Sequence, residues 1–273
     1  MLPNDREGML RAIARACAAG SLNMVQQLAD EAELSKADAI ANSLLSTACS
    51  HDQIQIVQWL VARFGYANRN DHLWRLFREA GAYGSLRVAR WLAGRLGHGD
   101  AARSGVVLRT AVTRGRLEFA QWLVAAFGLT GDDARARDND ALRIACHYGH
   151  LAVAQWLAAA FGLGPADARS GDNAALRGAC AGHLAVAQWL AAAFGLGAAD
   201  ARACNNEALR LACENGHVEV AAWLAATFGL GPADARAEGN HALGLRQWPF
   251  RGRRMSGHVI RPRARRFPRQ RPG

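Results

Sequence analysis

Lysine is almost absent from this chain: of 33 basic residues only Lys36 is a lysine, and the rest are arginines. No apolar run approaches the ~18 residues a membrane span needs, so no membrane-integral protein is expected. The opening residues, Met1 to Glu7, lack a basic region followed by an apolar stretch. No secretory signal is therefore visible, and an intracellular, cytoplasmic setting is expected. There is no Gly-x-Ser-x-Gly, no phosphate-binding glycine loop, no His-Glu-x-x-His and no Cys-x-x-Cys, and no pair of acids stands apart from the general pattern. No enzyme, cofactor or metal centre is expected. Wholesale disorder is excluded too, because 51% of the 273 residues are apolar and 21% are charged.

Charge of one sign is missing from one end only. The formal net charge is +10 and the pI near 10.3, values that ordinarily point to nucleic acid. From Arg246 onward there are ten arginines and no acid, whereas residues 1–245 hold 23 basic and 23 acidic residues. The protein reads as a neutral body, residues 1–243, followed by an Arg/Pro-rich tail, residues 244–273, expected to be disordered.

The body is repetitive, which decides its architecture before any local reading does. Trp59, Trp91, Trp122, Trp156, Trp189 and Trp223 recur at spacings of 32, 31, 34, 33 and 34 residues. The clearest copy, Asn139-Asp-Ala-Leu-Arg-Ile-Ala-Cys-His-Tyr-Gly-His-Leu-Ala-Val-Ala-Gln-Trp-Leu157, is followed by near-duplicates from Asn173 and Asn206. Ala16–Leu22, Ala48–Asp52, Ala80–Leu86 and Ala111–Leu117 open four looser copies, making seven before the tail. Each copy predicts two helices. The first, near Ala141–Tyr148, is short, and Gly149-His150 makes the turn. The second, Leu151–Phe161, places Leu151, Ala154, Leu157 and Phe161 on one stripe, widened by Val153, Trp156 and Ala160. Gly162 ends it, as Gly128, Gly195 and Gly229 end the corresponding helices. So small a pair cannot bury its own apolar faces, and stacking of copies into an elongated, all-α helical-repeat solenoid is expected.

At these residues the chain resembles the ankyrin repeat: a period near 33, an Ala-Cys step, then Gly-His-Leu-x-Val-Ala-x-x-Leu. The tetratricopeptide pattern is absent. The resemblance covers roughly residues 10–240 and is strongest over Asn139–Gly229. It is closest to the tryptophan-bearing ankyrin families expanded in large DNA viruses and protists, which would place a viral member in the host cytoplasm. The family's Thr-Pro-Leu-His opening has become Asn-x-Ala-Leu-Arg, and its hairpin connection has become Phe-Gly-Leu-Gly-Pro-Ala-Asp-Ala-Arg at Phe161–Arg169. Pro165 after a glycine suits a helix start, and Thr130-Gly-Asp-Asp133 has capping-box spacing. Little or no β-hairpin and a short third helical turn are expected.

Several columns look like sites until the repeat explains them. Cys17, Cys49, Cys146, Cys180 and Cys213 share one slot of the first helix, one per repeat, and read as small buried thiols, while Cys204 lies in a connection. His150, His183 and His217 each follow a turn glycine, where the ankyrin family carries a structural histidine. Arg78, Arg109, Arg143, Arg177 and Arg210 form a column that could track an anionic ligand, or pair with Asp167, Asp200 and Asp234, or cap carbonyls of the neighbouring connection. The tryptophans fall on the second helix's apolar stripe and read as a core ridge. Ankyrin-like proteins bind other proteins through their connections and the exposed side of first helices. Here the positions that differ between the cleanest copies mark such a surface: Arg137, Asp138, Asp140, His147, Tyr148, Ser170, Asp172, Asn205, Glu207, Glu214 and Asn215. Random divergence would produce the same differences.

The tail breaks the repeat abruptly after Asn240-His-Ala-Leu243. A chain so poor in lysine implies GC-rich coding. Reading the last two bases of each tail codon with the first of the next makes Trp248-Pro249 a glycine and lets Pro249-Phe250 be histidine. Met255-Ser256 becomes cysteine or a stop, and Phe-Gly-Leu and Pro-Ala-Asp follow in register. The missing eighth repeat thus reappears, pointing to an indel near codons 243–244 that the coding DNA would reveal. The expected function is a non-enzymatic, monomeric scaffold for an unknown protein partner. The alternatives are nucleic-acid or acidic-surface binding through the tail, and a decaying repeat without a specific role.

Overall fold

The computed structural model describes residues 3–41, 43–66, 70–96, 101–231 and 234, and the basic tail with the start of an eighth repeat lies outside the described residues. Among them the chain is all-helical, with sixteen helices and no strand. The first helices of the seven copies are α1 (Pro3–Ala19), α4 (Leu44–Ser50), α6 (Asn70–Tyr83), α8 (Ala101–Thr113), the later part of α10 (Gly131–His147), the later part of α12 (Pro165–Cys180), and α15 (Ala203–Glu214). The second helices are α2 (Leu22–Glu31), α5 (Ile54–Arg63), α7 (Leu86–Leu96), α9 (Leu117–Phe127), α11 (Leu151–Phe161), α13 (Leu184–Phe194) and α16 (Val218–Phe228). Connections hold the short α3 (Lys36–Ala41) and α14 (Ala198–Ala201), and helical turns that open α10 and α12.

Each first helix packs on the first helix before and after it and on its own second helix, and α5 packs on both α2 and α7. The result is two layers with a single apolar core between them. The expected second helix Leu151–Phe161 is found with those bounds. Gly128, Gly162, Gly195 and Gly229 adopt the left-handed conformation that stops α9, α11, α13 and α16. Alanine fills much of the interface, and it lets helices approach closely while keeping helix propensity high. The tryptophans are half-buried against the core rather than inside it, and Trp156, Trp189 and Trp223 meet Phe161, Phe194 and Phe228 edge to face. They form an outer ridge on the second layer.

The third helical turn is real and regular. Thr130, Gly164 and Gly197 are extended N-cap residues whose backbone N–H donates to Asp133, Asp167 and Asp200, each at 2.8 Å. The carboxylate three residues on therefore caps the turn even where the N-cap itself is glycine. Between this turn and the first helix the backbone reverses hand. Arg137-Asp138-Asn139, Gly171-Asp172-Asn173 and Cys204-Asn205-Asn206 all have φ between +49° and +60°. Three left-handed residues in succession break the helix between this turn and the first helix. Asn and Asp tolerate that region best after glycine, which accounts for the composition of these triplets.

Candidate functional site

The turns between first and second helices carry the contacts that join one repeat to the next. Gly20, Gly84, Gly115, Gly149 and Gly216 have φ between +66° and +80°, and the following residue donates its N–H back five residues, as His150 does to Ala145 at 2.8 Å. The side chain at this position, which follows the turn glycine or, at Gln53, Asp52, does not cap its own helix. It reaches to the preceding repeat instead: Gln53 to the carbonyl of Ala18 at 3.3 Å, Arg116 to Ala82 at 3.2 Å and His150 to Thr113 at 3.0 Å. His183 makes the same bond to His147. The reaching side chain lies over the previous turn glycine so closely that a Cβ at Gly115 would sit 2.6 Å from Nδ1 of His150.

One turn lacks the glycine, and there the arrangement changes. Asp52 takes φ +53° itself, and the next repeat carries the short Ser85, whose hydroxyl donates to Cys49 O at 2.6 Å. Asp52 also accepts the N–H groups of Arg87 and Val88, at 3.2 and 2.9 Å, and so caps α7. The histidines are thus structural latches. Among the described residues no group of three His, Cys, Asp or Glu is arranged to hold a metal ion.

The arginine column pairs differently from expectation. Asp167, Asp200 and Asp234 are held by Arg135, Arg169 and Arg202 of the preceding connection, at 3.0, 2.8 and 3.2 Å. The same guanidinium groups donate to the carbonyls of Gly162, Gly195 and Gly229, closing the exposed ends of the second helices. Arg109 and Arg143 instead share Asp140, Arg177 binds Glu207 and the Gly171 carbonyl, and Arg210 lies near Glu214. Asp140 and Glu207, the carboxylates on Arg109, Arg143 and Arg177, stand at the starts of first helices, whereas Glu214 ends one. Asp140, read from sequence as surface, is only 7% exposed with both guanidinium groups on it and cannot meet a partner directly.

The other variable positions remain accessible. Arg137, Asp138, Asp172 and Asn205 lie on the exposed triplets, and His147, Tyr148, Glu214 and Asn215 at the far ends of first helices, whereas Ser170 and Glu207 are half-buried. Tyr148 is 50% exposed and stacks near His150. The five column cysteines are buried free thiols, with burial pushing Cys17, Cys49 and Cys180 up to about 12, while Cys204 is exposed.

A feature with no counterpart in the sequence pattern is a groove along the first helices. Three clefts of about 300, 310 and 200 Å3 follow one another between α4 and α6, α6 and α8, and α8 and α10. Neighbouring clefts share walls, Arg75 and Arg78 lining the first two and Val106 the last two. Tyr66 lines the first cleft and Trp74 the second, the latter packed edge to face on Phe77 with Arg103 over its ring at 5.9 Å. Among the described residues no helix is long and apolar enough to cross a membrane. No protein-family model and no curated protein matches the chain.

Proposed function

We propose that the chain is an ankyrin-like helical-repeat solenoid that binds another protein and catalyses nothing. The observation that carries this reading is the separation of constant from variable positions. Those repeated between copies, such as Cys146, Cys180, Cys213 and the latch histidines, are buried or engaged within the stack. Most of those that differ, such as Asp138, Tyr148, Asp172 and Asn205, are exposed, Asp140 being the buried exception. Five buried free thiols fit a reducing, intracellular compartment. Fold alone names no partner. The test is capture of a protein from native cytoplasm by the immobilised full chain, compared with a variant carrying Asp138→Arg, Tyr148→Ala and Asp172→Arg. A specifically retained protein that the variant releases supports the reading, and equal retention by both overturns this surface.

The ten arginines of residues 244–273 favour a second reading, binding of nucleic acid or an acidic surface through the tail. Deleting residues 244–273 should then abolish a steeply salt-dependent interaction with DNA. If coding DNA shows the shifted frame, the tail was not shaped for that purpose.

A further inference from the structure

The overall neutrality of the body conceals an uneven distribution. Residues 70–117 carry nine arginines against three acids, a net of +6, while residues 118–243 carry eight basic against thirteen acidic residues, a net of −5. Four arginines of the positive block, Arg75, Arg78, Arg103 and Arg109, line the groove. Along the groove every acid is already engaged: Asp71 by Arg103 at 3.1 Å, Glu79 by the Ser46 hydroxyl at 2.9 Å, Asp133 by the Thr130 N–H, and Asp140 by Arg109 and Arg143. Arg75, Arg78 and Arg137 are exposed and make no ion pair among the described residues. The charge left over is therefore positive, spread along the cleft rather than gathered at one point. Between the arginines lie half-buried Trp74 and exposed Val106.

The groove crosses four first helices. Neighbouring helices pack about 10 Å apart, so it runs ~30 Å. An extended chain advances about 3.3–3.6 Å per residue, so about nine residues span it. We propose that this groove seats an extended acidic segment of a partner protein, with carboxylates on Arg75, Arg78 and Arg137 and an apolar side chain against Trp74 and Val106. The proposal rests on the protein-binding reading above and adds the site and the chemistry of the segment. A nucleic-acid strand fits less well. It brings a phosphate at every nucleotide, whereas the cleft offers, among the described residues, three unpaired arginines separated by the apolar Trp74 and Val106. The Trp74 face that a base would stack on is approached by Arg103.

The experiment is selection of a random nine-residue peptide display library on the full chain, followed by fluorescence anisotropy of the winning peptide. The expected winners are rich in Asp and Glu around one apolar residue. Their affinity should fall about tenfold or more in the triple variant R75E/R78E/R137E and weaken as salt is raised. The three residues are exposed, and an unchanged circular dichroism melt confirms that the variant folds. A second variant, R261E/R263E/R265E, should bind the peptide as the parent does, which separates the groove from the tail. Winners without acidic enrichment, or acidic winners held equally by the groove variant, overturn the groove assignment while leaving a protein-binding scaffold standing. Retention of a single-stranded oligonucleotide but of no peptide overturns both.

Discussion

At the scale of single residues the turn between helices is a matched pair of positions. A long side chain reaching back requires a glycine beneath it, as Gln53 over Gly20, Arg116 over Gly84 and His150 over Gly115. Where Asp52 replaces that glycine, the reaching residue shrinks to Ser85. Gly115→Ala should cost about 1–3 kcal/mol in urea unfolding, from the strain of φ +66° plus displacement of the His150 ring. Combined with His150→Ser, the loss should be smaller than the sum of the two single losses, and strict additivity would refute the pairing. A pH effect belongs here too. Burial holds His183 below the usual histidine range, and the row of His147, His217 and His150 adds to this against the opposing bond to the His147 carbonyl. The unfolded chain then binds more protons at this site, so stability should fall as pH drops below ~6.5 and level off beneath the folded value. His183→Gln, which can reach back as Gln53 does, should flatten that part of a stability–pH curve measured by denaturant titration. The signal for the pairing was present in the sequence, as Gly followed a repeat later by a long polar residue and Asp52 by Ser85, but only the folded turn gives it meaning.

Elements were legible to different degrees. The second helix Leu151–Phe161 could be bounded to the residue because a 3.6-residue apolar stripe ends there at a glycine. The connecting turn was visible through Pro165 and the Asp three residues after each cap. The left-handed triplets were not, since runs of positive φ in residues other than glycine carry no periodic signature, and only an abundance of Asn and Asp hints at them. Missing them misassigned the partners of Asp167, Asp200 and Asp234 and placed Asp140 on the surface. It also hid the third cleft, whose wall includes Ala136 and Arg137 where the connection turns back. The triplets make a direct prediction. Gly171 occupies the position that Cys204 fills one repeat later. Cys204→Gly should therefore relieve left-handed strain and raise stability by about 0.5 kcal/mol, part of the gain being offset by the freer unfolded chain. Asn139→Ala should lower stability by about 2 kcal/mol, because it loses both tolerance of φ +57° and the hydrogen bond to Asp167. Chemical denaturation of the two variants checks both signs.

Across the whole molecule the core is one continuous layer without a centre, so its integrity is best read from probes spread along it. The cysteines provide them. Ellman's reagent should titrate Cys204 alone in the native chain and all six thiols in urea, because the other five are buried and burial raises their pKa. Fast reaction of a second thiol under native conditions would mean the stack opens near it. The net charge, by contrast, informs poorly at this scale: +10 belongs to the tail, and the body's zero is the sum of a positive middle and a negative end. The latch bonds have a direction as well as a position. Gln53, Ser85, Arg116 and His150 each reach toward the repeat that precedes them in the chain. During synthesis that repeat has already left the ribosome when the reaching side chain is made. Every new helix pair thus finds its acceptor waiting, and the protein can assemble in the order in which it is translated.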